Sequence, residues 1–204
     1  SDTDTLTMTG GDVGGSVFGD RGVDTITLDG GTISGEIVSG DGDDVFVWSA
    51  GTMAGFNGGD GSDIATVSAA AYDGAQILDG GDDASSADGF IDELTLNGVS
   101  GTLNGGNIRN WEVLDFEPGI TIEITGLVTE TVGASCGGST TLSGASMADD
   151  VDGCIDDDII IIAGDTMIAN DIEGAGGSDT ITISGDASVG GTVDGGGAGQ
   201  DASA

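Results

Sequence analysis

Residues 20–48 read DRGVDTITLDGGTISGEIVSGDGDDVFVW, and within this stretch an aspartate twice precedes a short run with large apolar residues at every second position. The apolar residues fall two and four positions after Asp24 and again after Asp44. A period of two is typical of a strand with one buried face. A second, shorter apolar pair follows the glycines at 30 and 31. The stretch therefore indicates a coil of two short strands joined by glycine-rich corners.

The same unit recurs along the chain at nearly constant spacing. The first three intervals between its leading aspartates are 20, 20 and 19 residues, the next is 29, and the last two are 21 and 22. Four inward residues per coil cannot form a core alone, whereas coils stacked about 4.8 Å apart form a continuous one. The leading residues are Asp4, Asp24, Asp44, Asp63 and Asp92, then Asp158, Asp179 and Asp201.

This repeat predicts an all-β fold, a right-handed parallel β-helix (β-solenoid) of roughly ten coils with two loop excursions. A low-complexity tail and an antiparallel β-sandwich are the alternatives, but neither requires one motif every 20 residues. We expect one solenoid domain over residues 1–204, as a segment of a longer repeat protein or as a filament subunit. Residues 67–90 and 127–157 break the register and are predicted to be irregular insertions.

Composition narrows the function further. The chain has 37 acidic residues against two basic ones, Arg21 and Arg109, and no lysine or histidine, which gives a net charge of −35. Nucleic acid is therefore not an expected partner, because phosphate binding needs clustered cations. Membrane insertion is not expected either, since no apolar run approaches the roughly 20 residues that span a bilayer. Serine-hydrolase chemistry would need a histidine or lysine partner.

Two cysteines, Cys136 and Cys154, are separated by 18 residues. A disulfide between them is the preferred interpretation, because the acidic repeat suggests an oxidising exterior. We therefore expect an extracellular or cell-surface location. Free thiols remain the alternative.

The glycine-rich corners carry aspartates at regular positions, and we interpret them as calcium sites. Glycine permits the tight turn and leaves main-chain carbonyls available, while aspartate supplies the hard anionic oxygen that calcium prefers. Like charges stacked about 4.8 Å apart would repel by roughly 3.5 kcal/mol at an effective dielectric of 20, so a cation between coils would favour stacking. A solvated acidic face is the alternative. The candidate metal ligands are Asp20, Asp24, Gly40, Asp41, Asp43, Asp44, Gly58, Asp60, Asp63, Asp179 and Asp201.

These corners resemble the G-G-x-G-x-D-x-U-x nonapeptide of RTX calcium-binding β-rolls, and the whole unit is similar to the solenoid repeats of RTX adhesins. The segment from Asn110 to Gly126 resembles a coil of autotransporter passenger β-helices. The resemblance implies a surface-exposed, calcium-stabilised solenoid. Ice binding, known for one such adhesin section, is disfavoured because the threonine-asparagine array beside the corner aspartate is absent here.

We therefore expect a structural or adhesive module of a bacterial surface adhesin or extracellular filament, and not an enzyme. The expected partners are neighbouring solenoid coils or identical subunits stacked end to end, with surface glycans as a further candidate. A carbohydrate-active β-helix enzyme, a lyase or glycosidase, is the alternative. With 37 acidic residues, however, two carboxylates close together carry little information.

Overall fold

Parallel strands stacked coil upon coil form this protein, which is known from a computed structural model that describes residues 2–82 and 84–197. The chain is a β-solenoid of about nine turns, so the predicted all-β parallel fold is confirmed. Within the described ranges, no helix is long and apolar enough to cross a membrane. The described residues divide into two compact units, the first within residues 1–97 and 107–112 and the second within residues 98–106 and 113–204.

Unit 1 contains two parallel sheets that alternate along the chain. Its strands are β1 (Thr5–Met8), β2 (Asp12–Val13), β3 (Val17–Phe18), β4 (Thr25–Ile33), β5 (Glu36–Asp41), β6 (Val45–Thr52), β7 (Gly55–Asp60), β8 (Ile64–Ser68), β9 (Ile77–Gly81), β10 (Glu93–Asn97) and β12 (Ile108–Arg109). One sheet has the order β1-β4-β6-β8-β10, with β2 also paired to β4, and the other has the order β3-β5-β7-β9-β12. A 3-10 turn covers Ser86–Asp88.

The core of unit 1 consists of inward columns in which each coil stacks its side chain on the same position of the next. Ile26, Phe46, Ala65 and Leu94 form one column, and the small alanine follows the large phenylalanine. Phe46 also stacks on Phe56 of the other sheet, with ring centroids 4.3 Å apart. Two-sided burial of this kind is what makes the coils cohere, because no single coil encloses a core.

Unit 2 contains three parallel sheets. Its strands are β11 (Gly101–Asn104), β13 (Val113–Phe116), β14 (Thr121–Thr125), β15 (Thr131–Gly133), β16 (Ser139–Ser143), β17 (Met147–Ala148), β18 (Asp150–Asp152), β19 (Ile159–Ile162), β20 (Met167–Ile168), β21 (Ile172–Glu173), β22 (Thr180–Ile183), β23 (Ser188–Val189) and β24 (Val193–Asp194). Their orders are β13-β15-β18-β21-β24, β11-β14-β16-β19-β22 and β17-β20-β23. A second 3-10 turn covers Gly105–Asn107, and its last residue, Asn107, belongs to unit 1.

Both ranges that the sequence marked as irregular contain solenoid strands. The range 67–90 includes β9, which pairs with β7 in parallel register, and the departures from the coil lie before and after this strand. The range 127–157 includes β15 to β18, and within it β16 is paired on both sides by β14 and β19. Solenoid strands are therefore present in both segments, although the regular spacing of the leading aspartates is lost there.

Candidate functional site

One buried aspartate per coil marks the corner that precedes the first sheet of unit 1. Each Oδ1 atom accepts a hydrogen bond from the main-chain N–H of the equivalent residue one coil earlier, at 2.7 Å for Asp24, 2.6 Å for Asp44, 2.8 Å for Asp63 and 2.7 Å for Asp92. The last N–H, that of Asp92, donates to Oε2 of Glu112 at 2.6 Å. We call these five acidic residues the acid ladder.

The second carboxylate oxygen of the aspartates in the acid ladder has no partner. Oδ2 of Asp24, Asp44, Asp63 and Asp92 is buried and makes no hydrogen bond within the described ranges. These four residues are at most 2% exposed. A buried anionic oxygen without a partner carries a large desolvation cost, so the ladder needs a proton or a cation at these atoms.

The raised pKa values of three ladder aspartates also indicate that these carboxylates need a proton or a cation. Burial raises the pKa of Asp63 to about 8, and the charges of Asp92 and Asp44 add to the rise while the N–H of Asp44 opposes it. Burial likewise raises the pKa of Asp92 to about 7. The N–H of Asp63 opposes this rise, and the negative charge of Glu112 adds to it. The pKa of Asp44 is also raised, again mainly by burial. Without a compensating cation, part of the ladder holds protons near neutral pH.

A glycine stands five residues before Asp24 and before Asp63, whereas Ser39 holds this position before Asp44. A methyl group on Gly58 would collide with the carbonyl oxygen of Gly80 in the next coil and with Oδ2 of Asp63. A methyl group on Gly19 would likewise collide with the carbonyl oxygen of Ser39 and would lie 2.7 Å from Oδ2 of Asp24. A carboxylate oxygen and a main-chain carbonyl oxygen therefore face one glycine, and no side chain fits between them.

The remaining candidate aspartates of unit 1 lie on the outside of the corner. Asp41 and Asp60 are direct neighbours in register, and Asp41 Oδ2 is 2.8 Å from Nε of Arg21. Both partners of that ion pair are more than half exposed, so it contributes about 0–1 kcal/mol. Oδ1 of Asp43 accepts the N–H of Ser62 at 3.0 Å.

Asp20 and Gly40 hold equivalent positions in successive corners, and both have a positive φ. The φ angle is 72° at Asp20 and 121° at Gly40. A methyl group on Gly40 would collide with the carbonyl oxygen of Asp20. Gly40 is therefore fixed by both conformation and space, and its role here is to let the corner close.

Unit 2 repeats the inner arrangement at Asp158 and Asp179. Oδ1 of Asp158 accepts the N–H of Gly137 at 2.7 Å, and its Oδ2 accepts the N–H of Cys154 at 2.8 Å. The N–H of Asp158 donates to Oδ1 of Asp179 at 2.9 Å. Asp158 thus has both oxygens satisfied, whereas Oδ2 of Asp179 is buried without a partner in the described part of the chain.

The predicted disulfide between Cys136 and Cys154 is confirmed, with the two Cα atoms 5.5 Å apart. It lies beside Asp158, because one donor to that carboxylate is Cys154 itself and the other is Gly137, next to Cys136. The disulfide therefore holds together the two segments that bind Asp158.

The predicted metal ligands fall into an inner and an outer group. Asp24, Asp44 and Asp63 stack in the acid ladder, Asp20, Asp41, Asp43 and Asp60 are exposed outside it, Asp179 is in unit 2, and Asp201 lies outside the described residues. In residues 2–82 and 84–197, no three His, Cys, Asp or Glu side chains converge on a point that could hold a metal. What the corners of Asp24, Asp63 and Asp92 offer is one unpartnered carboxylate oxygen and a main-chain carbonyl oxygen that face the same glycine. These are hard donors of the kind calcium prefers, and carbonyls would have to supply most of the ligands.

Sequence reasoning missed Glu112 and the doubly bound carboxylate of Asp158. Glu112 lies 20 residues after Asp92, which is the coil spacing, so the repeat contained its signal. The residue was missed because this coil has a glutamate where the other coils of the acid ladder have an aspartate. No sequence signal distinguishes Asp158 from the other corner aspartates, because its second hydrogen bond depends on the local path around Cys154.

Comparison with protein-family models, curated proteins and solved structures finds no match for this chain. The likeness of its repeats to RTX adhesins and autotransporter passengers therefore stays a prediction from the motifs.

Proposed function

We propose that the chain is a structural and adhesive module of a bacterial surface adhesin or extracellular filament, with a solenoid that calcium stabilises at its corners. The observation that carries the proposal is the acid ladder with its four unpartnered Oδ2 atoms. Stacked buried carboxylates oppose coil stacking unless their charge is compensated. The chain itself has only Arg21 and Arg109 as bases, so compensation has to come from outside it.

Asp24, Asp44, Asp63 and Asp179 are the side chains that would hold calcium, together with main-chain carbonyls of the glycine corners. Bound calcium would supply positive charge to oxygens that otherwise have none. The Oδ1 atoms of these aspartates already join successive coils through main-chain N–H groups. Neutralising the second oxygen therefore strengthens an existing connection between coils.

The disulfide supports an extracellular location, because disulfides persist in oxidising compartments. The proposed partners are neighbouring coils of a longer solenoid or identical subunits, and surface glycans. The proposal assigns no catalytic role, because among 37 acidic residues two neighbouring carboxylates are weak evidence for a glycosidase.

The test compares thermal unfolding in chelator, in millimolar calcium and in sodium chloride of equal ionic strength. Calcium at about 100 times its dissociation constant would stabilise the folded state by about 2.7 kcal/mol. For a chain of this size, that corresponds to a rise in Tm of about 5–10 °C. Sodium should raise Tm much less, because screening does not provide an ion with six to eight oxygen ligands.

Asp44→Asn makes the test specific. Asparagine keeps an oxygen that can accept the N–H of Asp24 but removes the anionic charge, so the calcium-induced rise in Tm should shrink. Asp73→Asn is the matched control, because Asp73 is exposed in a loop and should leave the calcium response unchanged. Equal Tm values in chelator and in calcium for the unsubstituted chain would show that protons alone compensate the ladder, and the calcium part of the proposal would be wrong.

A further inference from the structure

A groove of about 360 Å³ lies on the outer face of the second sheet of unit 1. It is lined by Glu36, Val38, Asn57, Ile77, Asp79 and Arg109, and we call it the Gly55 groove. Val38, Asn57, Asp79 and Arg109 follow one another in register on strands β5, β7, β9 and β12. The volume lies within the range of about 300–1,000 Å³ that is usual for small-molecule sites.

Two residues that line the groove flank a glycine in the parallel column. Glu36, Gly55 and Ile77 are neighbours in register, so no side chain separates Glu36 from Ile77 in this column. A methyl group added at Gly55 would lie 3.1 Å from the carbonyl oxygen of Ile77 and 3.9 Å from Oε1 of Glu36. The carboxylate of Glu36 therefore lies close to Gly55.

Charged and amide groups lie close together at this groove. Burial raises the pKa of Asp79, the hydrogen bond from Asn110 and the charge of Arg109 oppose that rise, and the charge of Glu36 adds to it. Asn110 Nδ2 donates to Asp79 Oδ1 at 2.8 Å, which fixes the orientation of the carboxylate. Two carboxylates and a guanidinium are thus within electrostatic range of one another, and one carboxylate is held in place.

The outer face of the other sheet in unit 1 differs. There, Thr27, Val47, Thr66 and Thr95 follow one another in register, and none of the four is charged. The charged lining of the Gly55 groove is therefore not shared by this column of the other sheet.

We propose that the Gly55 groove binds a neutral, hydroxyl-rich saccharide. A carboxylate accepts two hydrogen bonds from adjacent sugar hydroxyls, and the amide of Asn57 and the guanidinium of Arg109 provide donors for sugar oxygens. Val38 and Ile77 offer apolar surface to the C–H face of a sugar ring. This proposal names a ligand class for the adhesive role proposed above, and it does not depend on calcium at the acid ladder.

Charge selects this ligand class over charged ones. A net charge of −35 and the two groove carboxylates repel uronates and sulfated glycans. Arg109 within the groove lowers its attraction for polyamines and other cations. A neutral ligand with many hydroxyls can use both kinds of group without carrying a charge into the site.

The test is saturation-transfer NMR and calorimetry on the intact chain, with neutral hexasaccharides of β-1,4-linked glucose, mannose and N-acetylglucosamine as probes. Spermidine and polygalacturonate serve as the cationic and anionic comparators. At least one neutral probe should bind saturably, and Glu36→Gln and Asp79→Asn should each weaken it about tenfold by removing charge-assisted hydrogen bonds. Asp12→Asn is the matched control, since Asp12 is exposed on β2 outside the groove and its loss should leave affinity unchanged.

The measurements are made in millimolar calcium with circular dichroism confirming folded protein, so that this proposal can fail separately from the calcium proposal. If none of the neutral probes binds, or if binding survives both groove substitutions, the proposal is wrong. Binding of spermidine alone would identify a cation site instead and would equally overturn it.

Discussion

Gly58 occupies a point where two oxygens of the corner approach the main chain. An added methyl group would collide with the carbonyl oxygen of Gly80, which belongs to the main chain and cannot rotate away. Gly58→Ala should therefore destabilise the protein by about 2 kcal/mol and lower Tm by about 4–8 °C. Thermal unfolding followed by circular dichroism measures this.

Gly14→Ala is the control for this substitution. A methyl group there would meet no atom within 4 Å, so its effect should stay within about 0.5 kcal/mol. If the two alanine variants melted at the same temperature, the close approach at Gly58 would not exist in solution.

Asp115 shows at the same scale how a half-buried carboxylate sets a pH dependence. Burial raises its pKa above the ordinary value of 3.8, so the folded state binds the proton more tightly than the unfolded state. Ionisation of Asp115 therefore destabilises the fold as pH rises above 3.8, and the loss is complete above the raised pKa. Asp115→Asn removes this loss, so the variant should melt higher than the unsubstituted chain at pH 8 and similarly near pH 4.

Glu117→Gln, an exposed position two residues away, controls for the change in net charge. It should shift Tm little at either pH. A Tm difference for Asp115→Asn that is as large near pH 4 as at pH 8 would show that burial of the charge is not its cause.

At the scale of elements, the disulfide closes a loop that contains β16 and ends beside Asp158. Closing a loop of 18 residues restricts the unfolded chain and stabilises the fold by about 3 kcal/mol. Replacing both cysteines by serine should lower Tm by about 6–12 °C. Reductant should lower the Tm of the unsubstituted chain to that of the variant and should leave the variant unchanged. Equal melting of the variant and the oxidised chain would contradict a stabilising role.

The sequence predicted those elements in which aspartate precedes two inward apolar residues. Strands such as β6 and β19 follow this rule because their inward positions are large and apolar. It did not predict β9, whose sequence ILDGG has apolar residues only at its start. Its place in the sheet depends on pairing with β7, which is tertiary information.

The candidate site was predictable in position but not in chemistry. Spacing alone marks both Asp43 and Asp44 as corner residues, yet Asp44 is 2% exposed and Asp43 lies outside. The difference follows from the alternation of side chains along an extended main chain together with the register between coils. Glu112 shows the same limit, because an acid of a different length ends the ladder.

For the molecule as a whole, the net charge of −35 comes from acidic residues along the whole sequence, many of them outside the acid ladder. Self-repulsion of this kind favours expanded states, in which the charges are farther apart. This repulsion acts mainly between exposed carboxylates, which salt can screen, whereas the oxygens of the acid ladder are buried. The screening length decreases from about 30 Å at 0.01 M salt to about 3 Å at 1 M. The two contributions can therefore be separated by using sodium chloride in the presence of chelator.

Raising sodium chloride from 0.01 M to 1 M in chelator should increase Tm continuously, because screening weakens repulsion among exposed carboxylates more in the compact state than in the expanded one. Choline chloride over the same range is the control, and it should give a similar rise if screening and not sodium binding is responsible. The buried Oδ2 atoms of the ladder are out of reach of such screening, so Asp44→Asn should not change the slope of Tm against salt. A flat or falling Tm would mean that the exposed charges do not oppose folding, and the acidic surface would then need no compensation beyond the ladder itself.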